Sequence, residues 1–82
     1  MTDGSPLRAV IEVVVRALVD HPDAVEVTET ERRGMSVLEL RTAPGDMGKI
    51  IGRQGRTAAA LRTLLSVTAE KHRKRAQLDI KD

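Results

Sequence analysis

The sequence predicts a small α+β domain in the order α-β-β-α-α-β, a three-stranded mixed sheet with its helices packed on one face. Three observations carry that expectation. Apolar residues recur at helical spacing near the start, alternate with polar ones between Val25 and Arg41, return to helical spacing, and alternate again from Ala76. A length of 82 residues allows one modest core and not two. Two helices between the second and third strands make a crossover long enough for those strands to run parallel, whereas the first two, joined by a short turn, pair antiparallel. Residues 1–82 therefore read as one domain, with about 1–4 as a short flexible lead-in.

Each element has a local cause. Ser5-Pro6 is a helix opening, because serine caps free amides and proline tolerates the first helical position. Leu7, Val10, Ile11, Val14 and Leu18 then form a stripe, which "DHPD" at 20–23 ends. Val13, Val15 and Ala17 widen that stripe to roughly 200°, against the 100° or so that docks on one layer. Such width fits a helix that covers a sheet and also meets another chain, or one seated deeply within the monomer. Arg8, Glu12, Arg16 and Asp20 form a charged row on the other side. Val25 and Val27 alternate with Glu26 and Thr28, "ERRG" at 31–34 supplies a turn, and Leu38 and Leu40 share one face of the next strand. "APGD" at 43–46 has helix-start chemistry, and Met47, Ile50 and Ile51 give a short helix an apolar side. Beyond Gly55, residues Ala58, Leu61, Leu64, Leu65 and Thr68 carry a second amphipathic helix to about His72, and Ala76, Leu78 and Ile80 mark the last strand.

Composition excludes several functions. There is no Phe, Tyr or Trp, so the core is aliphatic and any nucleic-acid site works without aromatic stacking. Without cysteine, and with only His21 and His72, no disulfide or zinc spacing can be assembled, and neither metal nor cofactor is expected. The start lacks a secretion leader, and the apolar run from Ala9 to Val19 is broken by Glu12 and Arg16 and too short for a bilayer, so a cytoplasmic chain without membrane partners is expected. Charge is uneven: residues 1–43 hold five Lys/Arg against eight Asp/Glu, and residues 44–82 hold nine against four. The basic half points to a polyanion partner. "KHRKR" at 71–75, taken alone, is equally well a solvated helix end whose cations complement the dipole.

"GKIIGRQGRTAAALR" at 48–62 is the stretch with chemical content. Two glycines three apart arise about 0.4 times by chance at ordinary glycine frequency, so the tetrapeptide alone decides nothing. Its setting is more informative. Gly52 and Gly55 bend the chain between two helices, the start of the second points unpaired N–H groups outward, and Lys49, Arg53 and Arg56 bring positive charge to that spot. A sugar-phosphate backbone suits such a corner.

"IIGRQGRT" after "GDMGK" resembles the GXXG signature of KH domains, a loop that clamps four nucleotides by their backbone. The element order resembles the type II KH fold, and a lone domain of this size is similar to the small bacterial KhpA-type RNA-binding proteins. The resemblance implies that Gly52 and Gly55 are the loop glycines, Arg53 and Gln54 its variable centre, and Ile50 and Ile51 the apolar residues that line the groove floor and anchor the helix. Lys49 and Arg56 add phosphate contacts beside the loop. It further implies a groove wall around Val37 to Arg41 with "ERRG" at its rim, single-stranded RNA as ligand, and a role as RNA chaperone or post-transcriptional regulator. Pairing as a homodimer, or with a larger KH-containing protein, is implied too. A rival reading keeps the fold but makes the chain a protein-interaction subunit that stabilises an RNA-binding partner through its first helix.

Enzyme chemistry finds no support. "APGDMGKI" has alanine where a nucleotide-phosphate loop begins and isoleucine after its lysine, and the dinucleotide spacing G-x-G-x-x-G is absent. His21 and His72 sit at helix exits as surface or capping residues, and Ser5, Ser36 and Ser66 have no nucleophile elbow. No catalytic residue is expected.

Overall fold

A computed structural model describes residues 5–81, and the expected lead-in at about 1–4 lies outside them. The chain forms α1 (Pro6–Leu18), β1 (Glu26–Arg32), β2 (Met35–Arg41), α2 (Met47–Ile51), α3 (Arg56–Lys71) and β3 (Arg75–Lys81), with 3₁₀ turns at Pro22–Ala24, Pro44–Asp46 and Arg53–Gly55. The sheet order is β1-β2-β3, antiparallel in the first pair and parallel in the second, as the crossover length requires.

Ser5 caps α1, its hydroxyl oxygen accepting the Arg8 N–H at 3.2 Å, and donates to the Glu29 carboxylate, which fixes the helix start over β1. The wide apolar stripe divides. Leu7, Ile11 and Val15 are fully buried, whereas Val13 stays 69% exposed and Ala17 is exposed. Glu12 bridges Arg8 at 3.7 Å and Arg16 at 3.8 Å along the charged row. Asp20 lies past the helix end.

Arg32 faces Met35 across the hairpin, which leaves Arg33-Gly34 as a two-residue turn. Their φ values of 52° and 79° are those of a type I′ turn, whose twist matches that of the strands. Both strands thus run further than the "ERRG" turn predicts. Leu38 and Leu40 of β2 face the helices with no exposure, and Leu78 of β3 lies beside Leu38. Leu61 and Leu65 of α3 close the core from above. Each such burial contributes about 1.5–3 kcal/mol.

α3 ends in a Schellman motif: the Lys74 N–H donates to the Ala69 carbonyl at 2.8 Å and the Arg73 N–H to the Glu70 carbonyl at 3.0 Å, with Arg73 left-handed at φ 57°. That motif turns the chain straight into β3. No helix among the described residues is long and apolar enough to cross a membrane.

Candidate nucleic-acid interface

The two loop glycines serve different needs. Gly52 has φ 75° and ψ 172°, a region open only to glycine, and a Cβ there would lie 2.2 Å from Thr57 Oγ1 and 2.9 Å from Thr57 N. Its bareness lets the loop pack on the start of α3. Gly55 is left-handed at φ 73°, and a Cβ on it would meet nothing within 4 Å. Its bareness faces open space. Gln54 between them is also left-handed, at φ 57°.

Gly55 is the residue before α3, so no side chain caps that helix, and no acidic residue occupies its first turn. The Gly55 and Arg56 N–H groups are taken up by the Gly52 and Arg53 carbonyls inside the loop, so what this end of α3 offers an anion is its positive dipole end, with no acidic side chain to oppose it. Arg53, Gln54 and Arg56 are exposed around them. Lys49 joins the same corner from α2 but is engaged, its Nζ lying 3.2 Å from Asp20 Oδ2. The apolar pair splits: Ile50 is fully buried and anchors α2 in the core, and only Ile51, 38% exposed, presents surface.

Asp46 is the residue whose role the sequence disguises. It precedes α2 as a helix cap should, yet caps nothing there. Its buried carboxylate turns toward the segment after α1 and accepts the Asp20 N–H at 3.2 Å and the His21 N–H at 2.9 Å, with His21 Nδ1 also 3.2 Å away. Burial alone would raise this carboxyl, but the His21 and Asp20 backbone donors, together with the His21 ring, outweigh it and hold the group below the ordinary aspartate range. The clamp fixes α2, and with it the glycine loop. His21 is the exposed partner of that carboxylate rather than a catalytic base.

Grooves of contrasting chemistry flank α3. On one side Val14 and Leu18 of α1 and Ala60, Leu61 and Leu64 of α3 enclose an apolar groove of about 330 Å³ that reaches Arg56 and Thr57. On the other, Arg62 and Ser66 of α3 and Gln77 and Leu78 of β3 line a mixed groove of about 280 Å³, across which Arg62 Nε donates to the Leu78 carbonyl at 3.4 Å. The groove wall expected from Val37 to Arg41 is thereby corrected. β2 is the central strand, hydrogen-bonded on both sides, and β3 is the edge strand that borders α3. The mixed sheet expected from the sequence already implies a central β2, but not that the groove lies at the β3 edge, and Arg62 acquires a partner only when β3 docks.

The comparisons with known proteins agree with this geometry. Residues 8–80 match the family model described as KhpA/KhpB, KH domain. A protein of Caldanaerobacter subterraneus subsp. tengcongensis named RNA-binding protein KhpA is 49% identical over 85% of this chain and 93% of its own. Proteins of the same name from Halalkalibacterium halodurans and Aquifex aeolicus are each 46% identical over 93% of this chain, covering 100% and 96% of their own lengths. None of these names is an enzyme's. With the type II order of elements, a glycine-bounded loop between α2 and α3, and a family match over nearly every described residue, the chain belongs to the KhpA/KhpB KH-domain family.

Proposed function

We propose that this protein is a non-catalytic, single-stranded RNA-binding protein of the bacterial cytoplasm, acting as an RNA chaperone or post-transcriptional regulator. One observation carries the reading: the uncapped, acid-free start of α3 sits behind a loop whose Gly55 opens to solvent and whose Arg53 and Arg56 are exposed. Phosphates are held there by the positive end of α3 and by arginine, with Lys49 leaving Asp20 to join them. The bases lie along the mixed groove between α3 and β3, where Arg62, Ser66 and Gln77 offer donors and acceptors to their edges. Without aromatic platforms each base forgoes about 1–3 kcal/mol of stacking. One domain therefore binds weakly and with loose sequence preference.

The test is the double substitution Arg53→Asp/Gln54→Asp. Aspartate tolerates the left-handed backbone at 54, so the fold and its circular dichroism should persist. Gel-shift affinity for a short single-stranded RNA should collapse, and wild-type binding should fall with salt by about 0.7 log units per log unit for each phosphate held. Binding that survives the substitution refutes the reading.

The apolar groove between α1 and α3 favours a second function for the same chain, pairing through a protein interface. It has almost no polar lining to read a base, and Leu18 at its mouth is 41% exposed. A second copy covering both grooves doubles the RNA sites and raises avidity without adding any group that touches RNA. Leu64→Asp should leave the monomer folded and halve the mass measured by light scattering. An unchanged mass would assign the groove elsewhere.

A further inference from the structure

We propose a second phosphate-binding pole at the far end of α3, which extends the RNA footprint beyond the four nucleotides a GXXG loop clamps. The proposal rests on the RNA-binding reading above and concerns how much of the strand is held. α3 has 16 residues, so its ends stand about 24 Å apart. The glycine loop occupies one end. At the other, the fold brings together two segments distant in sequence: the β1–β2 turn and the link from α3 to β3. Met35 pairs with Arg32 on one side and Arg75 on the other, so these two arginines flank it on the sheet face away from the helices. Arg33 lies in the turn beside them, and Lys71, Arg73 and Lys74 lie at the end of α3 and in the link. All six are exposed, and none forms an ion pair with a partner among the described residues. The carboxylates nearest in the chain are Glu31 and Glu70 alone.

Backbone geometry separates this pole from an ordinary solvated helix end. Among the described residues, three that are not glycine take positive φ: Gln54 in the loop, and Arg33 and Arg73 here. Arg33 holds the first position of a type I′ turn, where asparagine or glycine is preferred. Arg73 holds the left-handed position of a Schellman motif, where glycine is preferred. Folding alone would favour glycine at both. An arginine kept at each, against the backbone preference, places guanidinium groups at the outermost points of the two bends. A strand leaving the loop along the groove between α3 and β3 runs to the bends that carry Arg33 and Arg73, with Arg32 and Arg75 on the opposite face of the sheet.

The experiment exploits the same geometry. Arg33→Gly/Arg73→Gly removes both charges and relieves both bends, so thermal stability should hold or rise. Binding is measured across a salt series with oligouridylates of four and about twelve nucleotides, within the usual range of single-strand site sizes. The longer oligomer should lose several-fold in affinity and its salt slope should flatten by about 1.4, at 0.7 for each phosphate no longer held. The shorter one, held by the loop, should bind as before. If the longer oligomer keeps its slope in the double variant while Arg53→Asp/Gln54→Asp abolishes binding, the pole is refuted, the loop reading stands, and these cations serve another ligand. If the wild type binds neither oligomer, the loop reading fails and the pole falls with it.

Discussion

Replacing Gly52 by alanine should be far more damaging than the same change at Gly55, although the two glycines are equivalent in the motif. At Gly52 the new Cβ enters a backbone region that costs about 1–3 kcal/mol for any other residue. It also meets Thr57 Oγ1 at 2.2 Å and, less avoidably, Thr57 N at 2.9 Å, an overpacking of about 1–3 kcal/mol. Lower entropy of the unfolded chain returns about 0.4–1 kcal/mol, leaving a net loss of about 3 kcal/mol. At Gly55 the Cβ points into open space, and only the left-handed term of about 1–2 kcal/mol opposes the same return. The net loss there is about 1 kcal/mol or less. For 82 residues, 1 kcal/mol moves the Tm by about 6 °C, so Gly52→Ala should lower it by about 18 °C and Gly55→Ala by about 6 °C or less. The chain has no aromatic residue, so far-UV circular dichroism is the probe. Equal shifts for the two variants would refute the assignment of Gly52 to internal packing and Gly55 to the ligand side.

Other expectations can be read from the same site. Asp46 is held below its ordinary value of 3.8, so the unfolded state binds protons more readily; its stabilisation is complete above that value and lost as pH falls through the lower folded value. Acid titration of Tm should show this loss, and Asp46→Asn should lower Tm at neutral pH and flatten the acid limb. Asp20→Asn should free Lys49 and raise RNA affinity at low salt by about fivefold or less, as an exposed pair worth under about 1 kcal/mol allows, whereas Lys49→Ala should weaken binding. Leu38→Ala, in the middle of the central strand with no exposure, should cost about 2–5 kcal/mol in a urea titration.

Periodicity made the elements and their order legible, because each apolar stripe faces a single core and the crossover length dictates which strands run parallel. Ser5, Pro6 and the link after Lys71 act locally and were readable within a few residues. What escaped was set by contacts across the fold. Asp46 has the chemistry of a cap for the helix that follows it, and only the return of the chain after α1 supplies donors 25 and 26 residues away in sequence. The opposite wall of the groove lies at β3, the strand left at the sheet edge, and the alternation of β2 looks the same in a central strand as in an edge one. Ile50 and Ile51 are chemically alike, and their separation into anchor and surface follows from where α2 docks.

The loop itself was legible for a reason that limits what it means. A pair of glycines announces backbone conformation, and here one of them is explained entirely by the fold: Gly52 is needed for the approach to Thr57 whether or not any ligand exists. Binding therefore rests on Gly55, on the uncapped start of α3 and on the exposed arginines, none of which the fold requires. Arg33 and Arg73 stand apart from the surrounding cations on the same ground. A residue that a bend would exchange for glycine at no structural loss is held for what its side chain meets outside the molecule, and substituting glycine tests that directly, because loss of RNA affinity then comes with stability undiminished.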